Sequence, residues 1–161
     1  RAGARIAPLL LGGGQEGGMR SGTEATPAIL GFAAACNALA PTFKADLQRE
    51  KELLNSLVDK LCKLDAVKIN GAHDAPHILS LSIPGVPTQN SINMLQDAGI
   101  YVSAGSACAK GHRSHVLTAM GLKPEVIDAS FRVSICRDTT KADLEKLAET
   151  IEKELLPRAR T

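Results

Sequence analysis

SFRVSICRDTTKADLEKLAETIEKELL, residues 130–156, changes its hydrophobic period once, and that change organises the chain around it. Over 130–136 the residues alternate. Phe131, Val133 and Ile135 turn one way, and Ser130, Arg132, Ser134 and Cys136 the other, which is the period of a half-buried strand. After Thr140 the spacing becomes helical, with Leu144, Leu147, Ile151 and Leu155 on one face and Thr140 with Asp143 forming a near capping box. Upstream, VKIN (67–70) and HILSLSI (77–83) alternate in the same way, with Leu79, Leu81 and Ile83 opposite Ser80 and Ser82. PGVPT (84–88) turns the chain, Thr88 is expected to cap a helix that ends at Gly99, and IYVS (100–103) follows as a short strand. Ser114 is the expected N-cap of HVLTAMG.

Towards the N-terminus, a long amphipathic helix starting at Thr42 presents Phe43, Leu47, Leu54, Leu57, Val58 and Leu61 on one face. Before it, Thr26 and Pro27 read as N-cap and first helical residue of a helix that Pro41 stops. IAPLLL (6–11) reads as a short strand feeding a glycine-rich loop. A few strands with helices packed on them, without strict βαβ order, give an α/β fold of α+β-like character. It is a small domain with a mixed or antiparallel sheet and one helical layer.

The 161 residues suffice for one ordinary domain, and 44% apolar with 22% charged residues can close a core under a normal polar surface. With 2% aromatics and no Trp, the core must be built from Leu, Ile, Val and Ala. A net charge of +2 and the lack of stacking side chains argue against nucleic acid. No apolar run reaches membrane-spanning length and no signal peptide is visible, so a soluble, cytosolic protein is expected. The chain starts at Arg1, and its first residues read as the continuation of an earlier strand, as in a fragment of a longer protein. Cys36, Cys62, Cys108 and Cys136 form no C-x-x-C pair, which argues against a disulfide framework or a zinc knuckle. Cys36 and Cys62 are expected to be buried in helices as small hydrophobes, and Cys136 to end a strand.

Three features carry chemistry. SAGSACAKGHRSH (103–115) sets Cys108 among small residues, with Lys110, His112, Arg113 and His115 close behind. Nearby positive charge and solvent access favour the reactive thiolate. A merely solvated basic loop is the alternative, and a metal site of Cys108, His112 and His115 ranks below both because a fourth ligand is missing. GGGQEGGMRSGT (12–23) offers backbone N–H groups, Arg20, Ser21 and Thr23 to a phosphate, although it lacks the Gly-Lys-Ser/Thr of a P-loop. Arg132, on the serine-lined strand face, can take a carboxylate in bidentate fashion, or serve only as a surface charge.

In their order along the chain, GGGQEGGMRSGTE, SAGSAC leading to SHVLTAMGL, and SFRVSICRDTT resemble the cysteine desulfurases, pyridoxal-phosphate enzymes of the class V aminotransferase superfamily. The resemblance implies the C-terminal, small domain of PLP fold type I, with 1–22 as the segment leaving the missing large domain and 23–161 as the small domain itself. It implies that Cys108 is the catalytic cysteine, attacking the sulfur of substrate L-cysteine to form a persulfide and release L-alanine. It implies that Thr23 reaches across a homodimer to the phosphate of the partner subunit's pyridoxal 5'-phosphate, and that Arg132 binds the substrate carboxylate. The persulfide would pass to an acceptor protein such as an iron–sulfur cluster scaffold or a thiolation protein. The family's Schiff-base lysine has no counterpart in this chain, so the isolated chain is expected to be inactive. AKGHR (109–113) is shorter than the corresponding loop of many relatives, and GTEA replaces the frequent GTEN. A selenocysteine lyase or cysteine sulfinate activity is the alternative among enzymes, and a docking or redox-sensing module the alternative outside them.

Overall fold

The computed structural model describes residues 3, 6–72, 74–105 and 113–159. It divides the chain into two compact units, residues 1–43 and residues 44–161.

The first unit carries helix α1 (Thr26–Leu39). Pro27 is in its first turn, where the absent N–H costs nothing. The N-cap is Ala25 and not Thr26, whose hydroxyl instead donates to the Glu24 carbonyl at 3.4 Å. α1 ends before Pro41, as expected, and none of its residues is buried. Cys36 is therefore exposed, contrary to the expectation of a buried thiol. Residues 6–11 form no strand, and Leu9 and Leu11 are almost fully exposed. A strand exists only when a neighbouring chain segment accepts and donates its backbone bonds. Here, among the described residues, the Leu10 carbonyl accepts from the Ser21 amide alone, at 3.2 Å.

In the second unit, strands β1 (Lys68–Ile69), β2 (Ile78–Ser82) and β3 (Ser130–Ser134) form an antiparallel sheet in the order β1-β2-β3. Ile69 is paired with Leu81, and Leu81 in turn with Phe131. The alternation of HILSLSI and SFRVSIC is realised: Leu79, Leu81, Ile83, Phe131, Val133 and Ile135 are all buried on one face. Helices α2 (Phe43–Leu61), α3 (Thr88–Asp97) and α6 (Lys141–Thr150) close the core over that face through Leu54, Leu57, Leu61, Leu95, Leu144 and Leu147. Each of these helices is amphipathic, so one stripe is removed from water while the charged positions stay solvated. The result is the small antiparallel sheet with helices packed on it that the sequence pattern implies.

Several local expectations change. Phe43 is exposed and Glu50 is buried, only 8% exposed, so the buried stripe of α2 runs through Glu50, Leu54, Leu57 and Leu61. Cys62 follows the last residue of α2 and is exposed, as is Cys136 just beyond β3. Residues 100–103 contribute a single antiparallel bridge, Ser103 to Arg132, in place of a strand. The N-cap of α3 is Pro87. The Thr88 hydroxyl donates instead to the Asp128 and Ser130 carbonyls, both at 2.8 Å, and so ties the helix start to β3. Gly99 ends α3 in the left-handed region at φ 75°, which favours glycine. Thr140 and Asp143 form a complete capping box at the start of α6. Beyond α6, a π-helical stretch (Ile151–Leu155) continues the buried stripe into the last short helix, α7 (Leu156–Ala159). Among the described residues, no single helix is long and apolar enough to cross a membrane.

Candidate active site

The sheet face opposite the core is polar. β2 contributes Ser80 and Ser82 to it, and β3 contributes Ser130, Arg132 and Ser134, because successive side chains of a strand alternate between faces. A cleft of about 680 Å³ lies over this face, with Ser80, Ser103, Ser130 and Arg132 among its lining residues and Gly105, His115 and Leu117 on its walls. Arg132 is exposed, and its guanidinium makes no hydrogen bond or ion pair with any described residue. Its backbone is fixed on both sides, by the register with Ser80 on β2 and by two bonds with Ser103 at 2.7 and 3.1 Å. A free guanidinium on so rigid a backbone is suited to an anionic ligand, above all a planar carboxylate.

The wall near Ser103 and Gly105 leads into residues 106–112, and the chain is described again from Arg113. Cys108, Lys110 and His112 thus lie outside the described residues. Ser114 caps helix α4 (His115–Ala119) as expected, accepting from the Leu117 amide at 3.3 Å. Arg113 does not act as the free charge the sequence suggested. Its Nε and Nη2 donate to both Asp128 oxygens, at 2.7 and 2.6 Å, just beyond the short helix α5 (Pro124–Ile127). Hydrogen bonding to Asp128, reinforced by its charge, raises the Arg113 pKa, and the bonds from Arg113 hold the Asp128 carboxyl below its ordinary value. The positive charge of Arg113 is committed to this pair, and the His115 ring lies on the cleft wall.

Thr23 belongs to the other unit. It is exposed, and its hydroxyl bonds to no described residue. The glycine-rich loop before it is an ordered turn, not a slack connector. Gln15 accepts the Gly22 amide at 3.1 Å, Ser21 accepts the Gly14 amide at 3.4 Å, and Arg20 donates to the Gly22 and Thr23 carbonyls at 3.2 and 3.0 Å. Gly14, Gly17, Gly18 and Gly22 all have positive φ, so the turn depends on glycine. A free hydroxyl beside the fixed cation of Arg20 fits one edge of a phosphate group, the part of pyridoxal phosphate that the resemblance assigns to Thr23.

The class V aminotransferase model matches residues 5–147, most of the chain. The chain belongs to the class V aminotransferase family. Its relatives include proteins named cysteine desulfurases. It is 34% identical to cysteine desulfurase IscS 1 of Archaeoglobus fulgidus over 155 residues, covering 94% of this chain and 41% of that protein. It is 37% identical to the mitochondrial cysteine desulfurase of Arabidopsis thaliana over 156 residues, covering 94% of this chain and 34% of that one. Among solved structures, a NifS-like protein superposes with a TM-score of 0.80 at 32% identity, over 96% of this chain and 40% of its own. The NifS-like protein of Rickettsia africae ESF-5 gives 0.78 at 33% identity, over 93% of this chain and 40% of its own. This class V aminotransferase chain thus spans well under half the length of these relatives.

Asn70, Ser80, Ser103 and the Arg113–Asp128 pair were not singled out from the sequence. The alternation of HILSLSI did place Ser80 on the polar face. What it lacked was the register that sets Ser80 opposite Arg132.

Proposed function

We propose that the chain is the C-terminal part of a pyridoxal-phosphate-dependent cysteine desulfurase, with residues 1–22 leaving the large domain and 23–161 forming the small domain, whose compact body is 44–161. The full-length enzyme converts L-cysteine to L-alanine. The observation that carries this reading is Arg132: a guanidinium without a partner among the described residues, in a serine-lined cleft whose wall includes Gly105. In this reading Arg132 holds the substrate carboxylate, which fixes the substrate's sulfur relative to the cleft wall. Cys108 follows the cleft-wall residue Gly105 by three positions in the sequence, a chain span of at most roughly 11 Å. Its thiolate attacks the substrate sulfur, an S–S bond forms on Cys108, and the substrate's C–S bond breaks as alanine departs. Thr23 donates to the phosphate of pyridoxal phosphate in the partner subunit of a homodimer. When bound, that cofactor supplies the electron sink for the C–S cleavage.

The persulfide on Cys108 passes its outer sulfur to an acceptor protein, such as an iron–sulfur cluster scaffold, in the cytosol. The chain of 161 residues, taken alone, is inactive in this reading because the cofactor's lysine belongs to the large domain. The test is mass spectrometry of the full-length protein after incubation with L-cysteine. One additional sulfur on the peptide containing Cys108, absent in Cys108→Ala, is the expected result. Additional sulfur only on other cysteines refutes the assignment.

A further inference from the structure

One row of side chains crosses the polar face of the sheet. Asn70 follows β1 directly, and its backbone amide donates to the Ser80 carbonyl at 2.9 Å, which extends the β1–β2 register to an Asn70–Ser80 pair. Ser80 is in turn opposite Arg132, and Arg132 is bridged to Ser103. Directly opposed residues on one sheet face have Cβ atoms about 5 Å apart. The Arg132 guanidinium therefore rises between two hydroxyls, and all three groups line the cleft.

The hydrogen bonds along the row have a direction. Asn70 is buried, only 7% exposed, and its side-chain amide donates to Ser80 Oγ at 3.2 Å and to Ser82 Oγ at 2.8 Å. An amide NH₂ donates and does not accept. The Ser80 hydroxyl, having accepted from Asn70, must send its own proton elsewhere, and the open side of Ser80 is the cleft. Ser130, the other serine on the floor beside Arg132, uses its proton on the Ile127 carbonyl at 2.7 Å and turns only lone pairs to the cleft. Ser80 is thus a donor next to the guanidinium.

We infer that Ser80 is a second donor to the carboxylate bound by Arg132, and that Asn70 is a positioning residue that points the Ser80 hydroxyl at it. This rests on the proposed role of Arg132 and adds to it: the carboxylate subsite is a cation flanked by an oriented hydroxyl, not a lone arginine.

The experiment is an NMR titration of the 161-residue chain with L-alanine, following the Arg132 Nε–H signal and the backbone amides of residues 80 and 103. Saturable shifts are expected in the wild type and none with ethylamine, which carries no carboxylate. Arg132→Gln abolishes the response. Ser80→Ala weakens binding roughly fivefold, the loss of one hydrogen bond to a charged group at a half-exposed site. Ser80→Thr, which keeps the hydroxyl, stays within about twofold of wild type. Asn70→Ala weakens binding like Ser80→Ala, and the double variant is no weaker than either single one.

A Ser80→Ala chain that binds like wild type, while Arg132→Gln is silent, overturns the inference and leaves the Arg132 assignment standing. Binding that survives Arg132→Gln overturns the Arg132 assignment itself. No saturable shift in the wild type, or an equal response to ethylamine, overturns both. Additive losses in the double variant overturn the positioning role of Asn70.

Discussion

Replacing Leu81 with alanine tests whether β2 separates core from site as described. Leu81 is fully buried, central in the sheet, and flanked in register by Ile69 on one side and Phe131 on the other. Leu→Ala removes about three carbon groups, and at roughly 0.8 kcal/mol per buried CH₂ the transfer contribution is about 2.4 kcal/mol. β2 is hydrogen-bonded along both edges, so it cannot slide into the space left behind, and a residual cavity adds to the loss. The expected destabilisation is about 3–4 kcal/mol, within the range for Leu→Ala in rigid cores. With a urea m-value of roughly 1.5–2 kcal/mol/M for a unit of this size, the midpoint falls by about 2 M. Far-UV circular dichroism is the appropriate probe, because the chain has no Trp and its one tyrosine, Tyr101, is 82% exposed. Ser80→Ala, one residue away on the opposite face, is the internal control and shifts the midpoint by less than about 0.7 M. If Leu81→Ala moves the midpoint no further than Ser80→Ala, at equal m-values, the assignment of faces on β2 is wrong.

Three further outcomes follow from particular contacts. Thr140→Ala removes the hydroxyl that caps α6, and about 1 kcal/mol of stability should go with it in the same urea assay. The Arg113–Asp128 pair makes stability depend on acid. The folded-state pKa of Asp128 is lowered, so its contribution is present above the ordinary carboxylate pKa of about 3.9 and lost as the pH falls through the lower, folded value. Asp128→Asn should therefore be less stable than wild type at pH 7, with the difference fading in strong acid; a difference that persists unchanged there refutes the linkage. Cys62 and Cys136 should react with a water-soluble thiol reagent under native conditions as fast as in urea, since both are exposed; protection of either contradicts the fold around it.

The two strands that face the site were legible because alternation reports burial directly. HILSLSI and SFRVSIC could bury Leu79, Leu81, Phe131 and Val133 only by turning their serines and Arg132 the other way. The caps of α4 and α6 were legible for the same local reason: Thr140 with Asp143, and Ser114 before α4, satisfy backbone groups within one turn. Errors arose where a segment's state depends on a partner. IAPLLL is apolar enough for a strand but has no edge to pair with among the described residues, and Cys36 lies on a helix that buries nothing. Thr88 has an N-capping side chain, yet the carbonyls of Asp128 and Ser130 compete for it successfully.

The sequence by itself determined the apolar faces of β2, β3 and α6, the class of fold and the family, because each depends on local periodicity or on residues in a fixed order. Only the tertiary structure decided what stands beside Arg132. Strand register is a non-local property, and it set Ser80 and Ser103 on either side of the guanidinium with Asn70 behind Ser80. It was likewise a non-local contact, with Asp128, that took the charge of Arg113 out of the basic cluster around Cys108.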